Sequence, residues 1–252
     1  MAEAIIAGLK KTLNPEILVA DVDPSRLELM RETYGCRTTQ DGGEIAASCQ
    51  VVVLAVKPQI MGEVLEELRG QLKSRHLVIS IAAGISLADL REMAGSPRLI
   101  RVMPNTPGLI GQGASCLWGD GLLDGDRETA DSIFGSIGNV YWLEERYFDA
   151  VTGVSGSGPA YVYHFLEAMI DAGVNEGLPR PVARHLAVDT VVGAALMVRE
   201  TGMHPGELKD MVTSPGGTTI RAMEALEENG LKNAVYKAVG AAARRSRELG
   251  GK

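Results

Sequence analysis

The residues of this chain that could do chemistry sit in four glycine- and proline-rich loops. The first is Ala55-Val56-Lys57-Pro58, directly after the apolar run QVVVL. Ligands of open α/β sheets bind beyond the carboxyl ends of strands, so Lys57 either meets an anion there or closes a surface loop. The second is Met103-Pro104-Asn105-Thr106-Pro107. Its two prolines fix the backbone and hold the Asn and Thr side chains, as a ligand site or as a rigid turn. The third, Ser155-Gly156-Ser157-Gly158-Pro159, leads into a helix and reads as an anion site or as a hinge. The fourth is Thr213-Ser214-Pro215-Gly216-Gly217-Thr218-Thr219. Two adjacent glycines let the backbone approach a ligand, the N–H groups of the following helix favour a carboxylate, and the hydroxyls add donors and acceptors.

Side-chain constellations of other kinds are missing. His76, His164, His185 and His204 are not spaced as metal ligands, and neither a His-Glu-x-x-His nor a G-x-S-x-G occurs. These histidines are expected at the surface or in caps, and no metal is expected. Chemistry in such a chain belongs to a cofactor, with the protein supplying position and hydrogen bonds.

The elements that must position these loops follow from the apolar pattern. EILVADV (16–22), QVVVLAV (50–56), LVISIAA (77–83) and RLIRVM (98–103) are continuous apolar runs, as in strands covered on both faces of a parallel sheet. Helical stretches lie between them at 24–34, 60–73 and 86–94, and further short strands are expected near 113–118 and 139–143. Strand–helix alternation predicts a doubly wound, Rossmann-like parallel sheet over residues 1–148. Beyond it the pattern is all helix, at 159–173, 181–201, 205–212, 219–229 and 231–249, which predicts an all-α domain over 149–252. The chain opens in a helix (MAEAIIAGLKK), with neither the first strand nor the G-x-G-x-x-G turn of a dinucleotide fold in front of it.

Composition narrows the function classes. Lys and Arg number 25 against 32 Asp and Glu, a net charge of −7, so no basic field is available for a nucleic-acid backbone. Arg244, Arg245 and Arg247 read as a solvated helix end. No uninterrupted apolar run reaches the length of a membrane span, so no membrane partner is expected. The opening residues lack a basic leader, and Cys36, Cys49 and Cys116 form no CxxC, which fits reduced thiols in a cytoplasmic protein.

Five blocks, AVKP (55–58), SIAAG (80–84), RVMPNTP (101–107), GSGPAY (156–161) and VTSPGGTT (212–219), resemble the pyrroline-5-carboxylate reductase family, and the likeness runs through nearly the whole chain. The resemblance implies reduction of 1-pyrroline-5-carboxylate to L-proline by hydride from NADPH or NADH. It also implies a Rossmann domain followed by a helical substrate-binding and dimerisation domain that forms a homo-oligomer. Carried over by position, Ala55, Val56, Lys57, Pro58, Asn105, Thr106 and Pro107 line the dinucleotide. Ser214, Gly216, Gly217, Thr218 and Thr219 grip the substrate, with Thr219 bonding the ring nitrogen as the catalytic hydroxyl.

Two departures from the family pattern stand out. Only Met1-Ala2-Glu3 matches the tail of its usual G-x-G-N-M-A-E loop, from which a start further upstream is expected. Ala20-Asp21-Val22-Asp23 is acidic where NADP-binding members offer Ser or Arg, and Gly42 stands where a ribose-contacting Asn is frequent, so NADH use is expected. Two other readings compete. A reductase of 3-hydroxy acids would carry a lysine on the helix over 159–173, which has none. A catalytically silent dimer that binds a small carboxylate would lack the pyrophosphate turn.

Overall fold

The structure, a computed structural model, describes residues 1–95 and 97–251. Two compact units make up the chain: Met1–Ser157 together with Gly240–Lys252, and Gly158–Val239.

The first unit is α/β, in the order expected. A five-stranded sheet runs β3 (Val51–Leu54), β4 (Leu77–Ser80), β5 (Arg98–Met103), β6 (Gly113–Asp120), β7 (Gly138–Trp142). β3, β4 and β5 are mutually parallel, so the loops after β3 and β5 open on one edge. β6 departs from the expected all-parallel sheet. It runs antiparallel to β5, because the tight turn 106–112 gives no crossover, and β7 then pairs parallel to β6. A second, two-stranded parallel sheet pairs β1 (Leu18–Ala20) with β2 (Arg37–Thr39). Neither β2 nor the helices α3 (Gly42–Ser48) and α6 (Asp126–Gly135) was expected from the apolar pattern. Among the described residues, β1 pairs only with β2 and β3 only with β4.

Helix α1 (Ala2–Thr12) joins the two sheets by packing, not by a hydrogen-bond ladder. Ile5 belongs to the core of the large sheet, with Leu77, Ile79, Ile100 and Phe134, whereas Ile6 belongs to a separate cluster with Met30 and Cys36 over the small sheet. Adjacent helical positions point about 100° apart, so neighbouring isoleucines can seat in two cores. Gly8 allows close approach on a third side. A Cβ there would lie 2.7 Å from the Ser136 carbonyl oxygen.

Helix α2 (Pro24–Tyr34) keeps its expected span, with Asp23 as N-cap and Gly35 as a left-handed C-cap. Ser25 donates to Asp23 from both its hydroxyl and its backbone N–H, which holds that carboxyl below its ordinary value. The helix expected over 60–73 is shorter, running as α4 (Met61–Glu67) before the chain turns. α5 (Leu87–Ala94) carries a full capping box from Ser86 and Asp89. After β7, α7 (Phe148–Val151) packs Phe148 and Val151 on Cys116, and a π-helical turn (Thr152–Gly156) follows. This packing keeps residues 149–157 with the first unit, past the expected boundary at 148.

The second unit is all helix: α8 (Gly158–Asn175), α9 (Arg180–Thr201), α10 (Pro205–Met211), α11 (Thr218–Glu228) and the start of α12 (Leu231–Leu249). Among its described residues only Ala183 and Ala187 are buried, while Tyr163, Phe165, Leu186, Val192, Leu196 and Met197 are exposed. α9 corrects one expectation, since by length and composition it is apolar enough to cross a membrane. It also carries Arg184 and Asp189, which a span would have to bury. The end of α12 belongs to the first unit, where Ser246 Oγ donates to Asp149 at 2.7 Å.

Candidate functional site

Ala55 and Val56 leave β3 half-buried, while Lys57 and Pro58 are exposed where a short 3-10 turn (Pro58–Ile60) begins. The Lys57 side chain makes no ion pair or hydrogen bond within the described chain, although acids outnumber bases. An unpaired cation at the carboxyl edge of a parallel sheet, where ligands of open α/β sheets bind, is compatible with an anionic coenzyme.

Asn105 bonds the backbone through both ends of its amide. Its Oδ1 accepts the Ala114 N–H at 2.9 Å and its Nδ2 donates to the Ser155 carbonyl at 3.2 Å. Both ends of the amide are thereby committed, and the loop after β5 is tied to β6 and to the π-helical turn. Thr106 stays exposed and Pro107 half-buried at the start of a 3-10 turn. The Ser155–Pro159 loop contains the boundary between the two compact units, between Ser157 and Gly158.

In the second unit, the loop before α11 leaves the start of its helix open. Gly217 is the N-cap of α11 and offers no side-chain cap, so the first-turn N–H groups keep their donors free. A Cβ at Gly217 would run into Ser214 Oγ, so only glycine lets the serine fold over the helix start. Gly216 sits at φ +66°, in the left-handed region. The hydroxyls of Ser214, Thr218 and Thr219 bond to nothing within the described chain, whereas Thr213 spends its own on the Lys209 carbonyl at 2.7 Å. Thr219 is half-buried and Thr218 exposed. The start of α11 thus has no side-chain cap, with the Ser214, Thr218 and Thr219 hydroxyls beside it.

Several residues escaped the sequence reading. Arg101, buried in β5, donates to Glu145 Oε1 at 2.8 Å and stacks on the Phe148 ring, 4.8 Å from its centroid. The same Glu145 oxygen accepts the Leu87 N–H, fixing the start of α5. Arg98 pairs with Asp126 at 2.6 Å. Two arginines inside an apolar strand were the available signal. His76 is fully buried, not a surface or cap residue. Its Nδ1 accepts the Lys73 N–H, which leaves Nε2–H to donate to the Ala46 carbonyl. The other three meet the expectation: His164 and His185 are exposed, and His204 accepts the Gly206 N–H at the start of α10. Burial pushes the thiols of Cys36, Cys49 and Cys116 up, and no disulfide forms. No cluster that could hold a metal occurs among the described residues. A groove of about 340 Å³ between α8 and α9, lined by Tyr163, Glu167, Ile170 and Arg184, holds none of the expected site residues.

Comparison with known proteins identifies the family. Residues 145–249 match the family model described as pyrroline-5-carboxylate reductase dimerisation, and residues 1–84 match the model described as NADP oxidoreductase coenzyme F420-dependent. A pyrroline-5-carboxylate reductase of Synechocystis is 46% identical over 100% of this chain and 96% of its own length. The solved structure of a pyrroline-5-carboxylate reductase from Coxiella burnetii superposes with a TM-score of 0.91 at 37% identity, covering 98% of this chain and 94% of that one. That of Plasmodium falciparum pyrroline carboxylate reductase, with NADP bound, gives 0.89 at 34% identity, with the same coverage. Such identity over full length leaves one conclusion: the chain belongs to the pyrroline-5-carboxylate reductase family.

Proposed function

We propose that this protein reduces 1-pyrroline-5-carboxylate to L-proline with a reduced nicotinamide coenzyme, as a homo-oligomer in the cytoplasm. The observation that carries the reading is the start of α11, whose backbone donors and whose Ser214, Thr218 and Thr219 hydroxyls are free. Gly216 and Gly217 let the substrate carboxylate reach those N–H groups, and the helix dipole favours its charge. Thr219 Oγ1 orients the ring nitrogen. The protonated imine already carries its proton, so positioning of the electrophilic carbon, not a strong acid, is what the chain must supply. This accounts for the lack of any catalytic His or Glu in the loop.

Ala55 to Pro58 and Asn105 to Pro107 line the coenzyme, with Lys57 facing its phosphates and Asn105 holding the loop in shape. When bound, the nicotinamide supplies the hydride. The exposed apolar faces of α8 and α9, including the α8–α9 groove, serve as the interface between copies. A helical unit with so few buried residues needs such a partner to form a core, and a neighbouring copy covers α9 better than lipid would, given Arg184 and Asp189.

The test is oxidation of NADH and of NADPH by the purified chain, with and without 1-pyrroline-5-carboxylate, followed by loss of the reduced-nicotinamide absorbance. Substrate-dependent oxidation with stoichiometric proline supports the proposal. A folded oligomer that turns over neither coenzyme refutes it.

A further inference from the structure

We infer that this chain takes NADH in preference to NADPH, because the carboxyl ends of β1 and β2 present carboxylates and no free cation to the adenosine ribose. The inference rests on the reductase reading above and concerns one end of the coenzyme in it. In a dinucleotide fold, an acid at the end of the strand after the first helix bonds the ribose hydroxyls, whereas an arginine nearby takes the 2′-phosphate. Here that strand is β1, which follows α1, and the residue that leaves it is Asp21.

The loop fixes how Asp21 is presented. Its Oδ1 accepts the Asp23 N–H at 3.0 Å, a bond that sets the carboxylate's direction, and its second oxygen remains open to solvent. Val22 beside it is 88% exposed, an apolar side chain at the position where a base would lie. β1 and β2 are parallel and in register, Ala20 opposite Thr39, so Asp41 emerges at the same edge as Asp21. Asp23 and Asp41 cap α2 and α3 and accept the N–H groups of Ser25 and Gly43, so both are held in place at the strand ends. Three carboxylates therefore surround the strand ends.

The cations that could offset them are engaged elsewhere. Arg26 binds Glu3 at 3.0 Å. Arg31 is held by Glu28 and by the Thr38 hydroxyl. Arg37 lies between Glu16 and Glu44, and Lys10 donates to the Pro15 carbonyl. Gln40, the remaining long polar side chain of the edge, donates to the Val22 carbonyl at 3.4 Å. A 2′-phosphate placed here meets like charge with no guanidinium free to bind it, while a ribose diol finds an acceptor in Asp21.

The experiment measures dissociation constants of NADH and NADPH for the intact protein by calorimetry, and for Asp21→Asn, which keeps the size and the acceptor for the Asp23 N–H. A charge-assisted hydrogen bond plus the removed repulsion corresponds to about a 10-fold preference or more. The expected result is NADH bound at least about 10-fold more tightly by the native chain, and a gap closing to within about 3-fold in Asp21→Asn, with thermal unfolding unchanged. The ratio of kcat/KM for the two coenzymes should move in parallel. Equal binding, or tighter NADPH, in the native chain overturns the inference and leaves the reductase reading standing. A native preference for NADH that persists in Asp21→Asn overturns the role of Asp21. Failure of a folded oligomer to bind either coenzyme overturns both readings together.

Discussion

Replacing Thr219 by valine isolates the hydroxyl assigned to the ring nitrogen. The substitution keeps the β-branched shape and its restricted χ1, and it removes one polar group. Thr219 is the second residue of α11, half-buried, and its hydroxyl bonds to nothing in the described chain. Folding therefore loses no hydrogen bond, and Tm should be unchanged. What is lost is a bond in which the charged imine N–H donates to the neutral hydroxyl oxygen, worth about 1.5–3 kcal/mol, or roughly 10- to 150-fold in kcat/KM. Because the bond orients the reacting carbon, the loss should fall mainly on kcat. Thr218→Val is the matched comparison: its exposed hydroxyl is expected to reach only the carboxylate, so KM should rise with kcat nearly unchanged. The assay is steady-state kinetics in 1-pyrroline-5-carboxylate at saturating coenzyme. If Thr219→Val stays within about 3-fold of the native kcat/KM, a margin worth about 0.7 kcal/mol, the hydroxyl is not bonded to the substrate and the assignment fails.

Two further predictions test the framework that holds the loops. Asn105→Ala strips partners from the Ala114 N–H and the Ser155 carbonyl at once, and should lower stability by about 2–4 kcal/mol in urea unfolding. Asn105→Asp should recover part of that loss, because a carboxylate still accepts from Ala114 but cannot donate to Ser155. Ile6→Ala should cost about 2–4 kcal/mol and, by hydrogen exchange, loosen β1 and β2 while leaving β3 to β5 protected. Equal loosening of both sheets would contradict the separation of the two cores.

How much was legible beforehand depended on whether a residue's role is local. β5 (Arg98–Met103) and α2 (Pro24–Tyr34) took their expected bounds because an apolar run and an Asp–Pro start with a glycine stop are decided within a few residues. EILVADV promised seven residues of strand and yielded three, because Asp21 bonds Asp23 and turns the chain toward α2. β2 could not be read from CRTTQ: it is short and polar, and it exists because β1 lies alongside to pair with it. The antiparallel β6 likewise depends on the length of a turn, which apolar periodicity does not report.

The same distinction divides the site. The shape of the Ser214–Thr219 loop was readable because it is written in backbone requirements: a left-handed Gly216, a Gly217 that must lack a Cβ, and a helix start without a side-chain cap. The backbone bonds of Asn105 were not readable, because an amide after a strand can face a ligand or its own backbone, and its partners Ala114 and Ser155 arrive from elsewhere in the chain. Asp21 belongs with the first kind for its identity and with the second for its meaning. The acid is visible in the chain, but its force against a 2′-phosphate comes from Arg26, Arg31 and Arg37 each being held by a carboxylate remote from it in sequence or one turn away. Coenzyme choice in this protein is therefore set as much by where its arginines are bound as by which residue ends the strand.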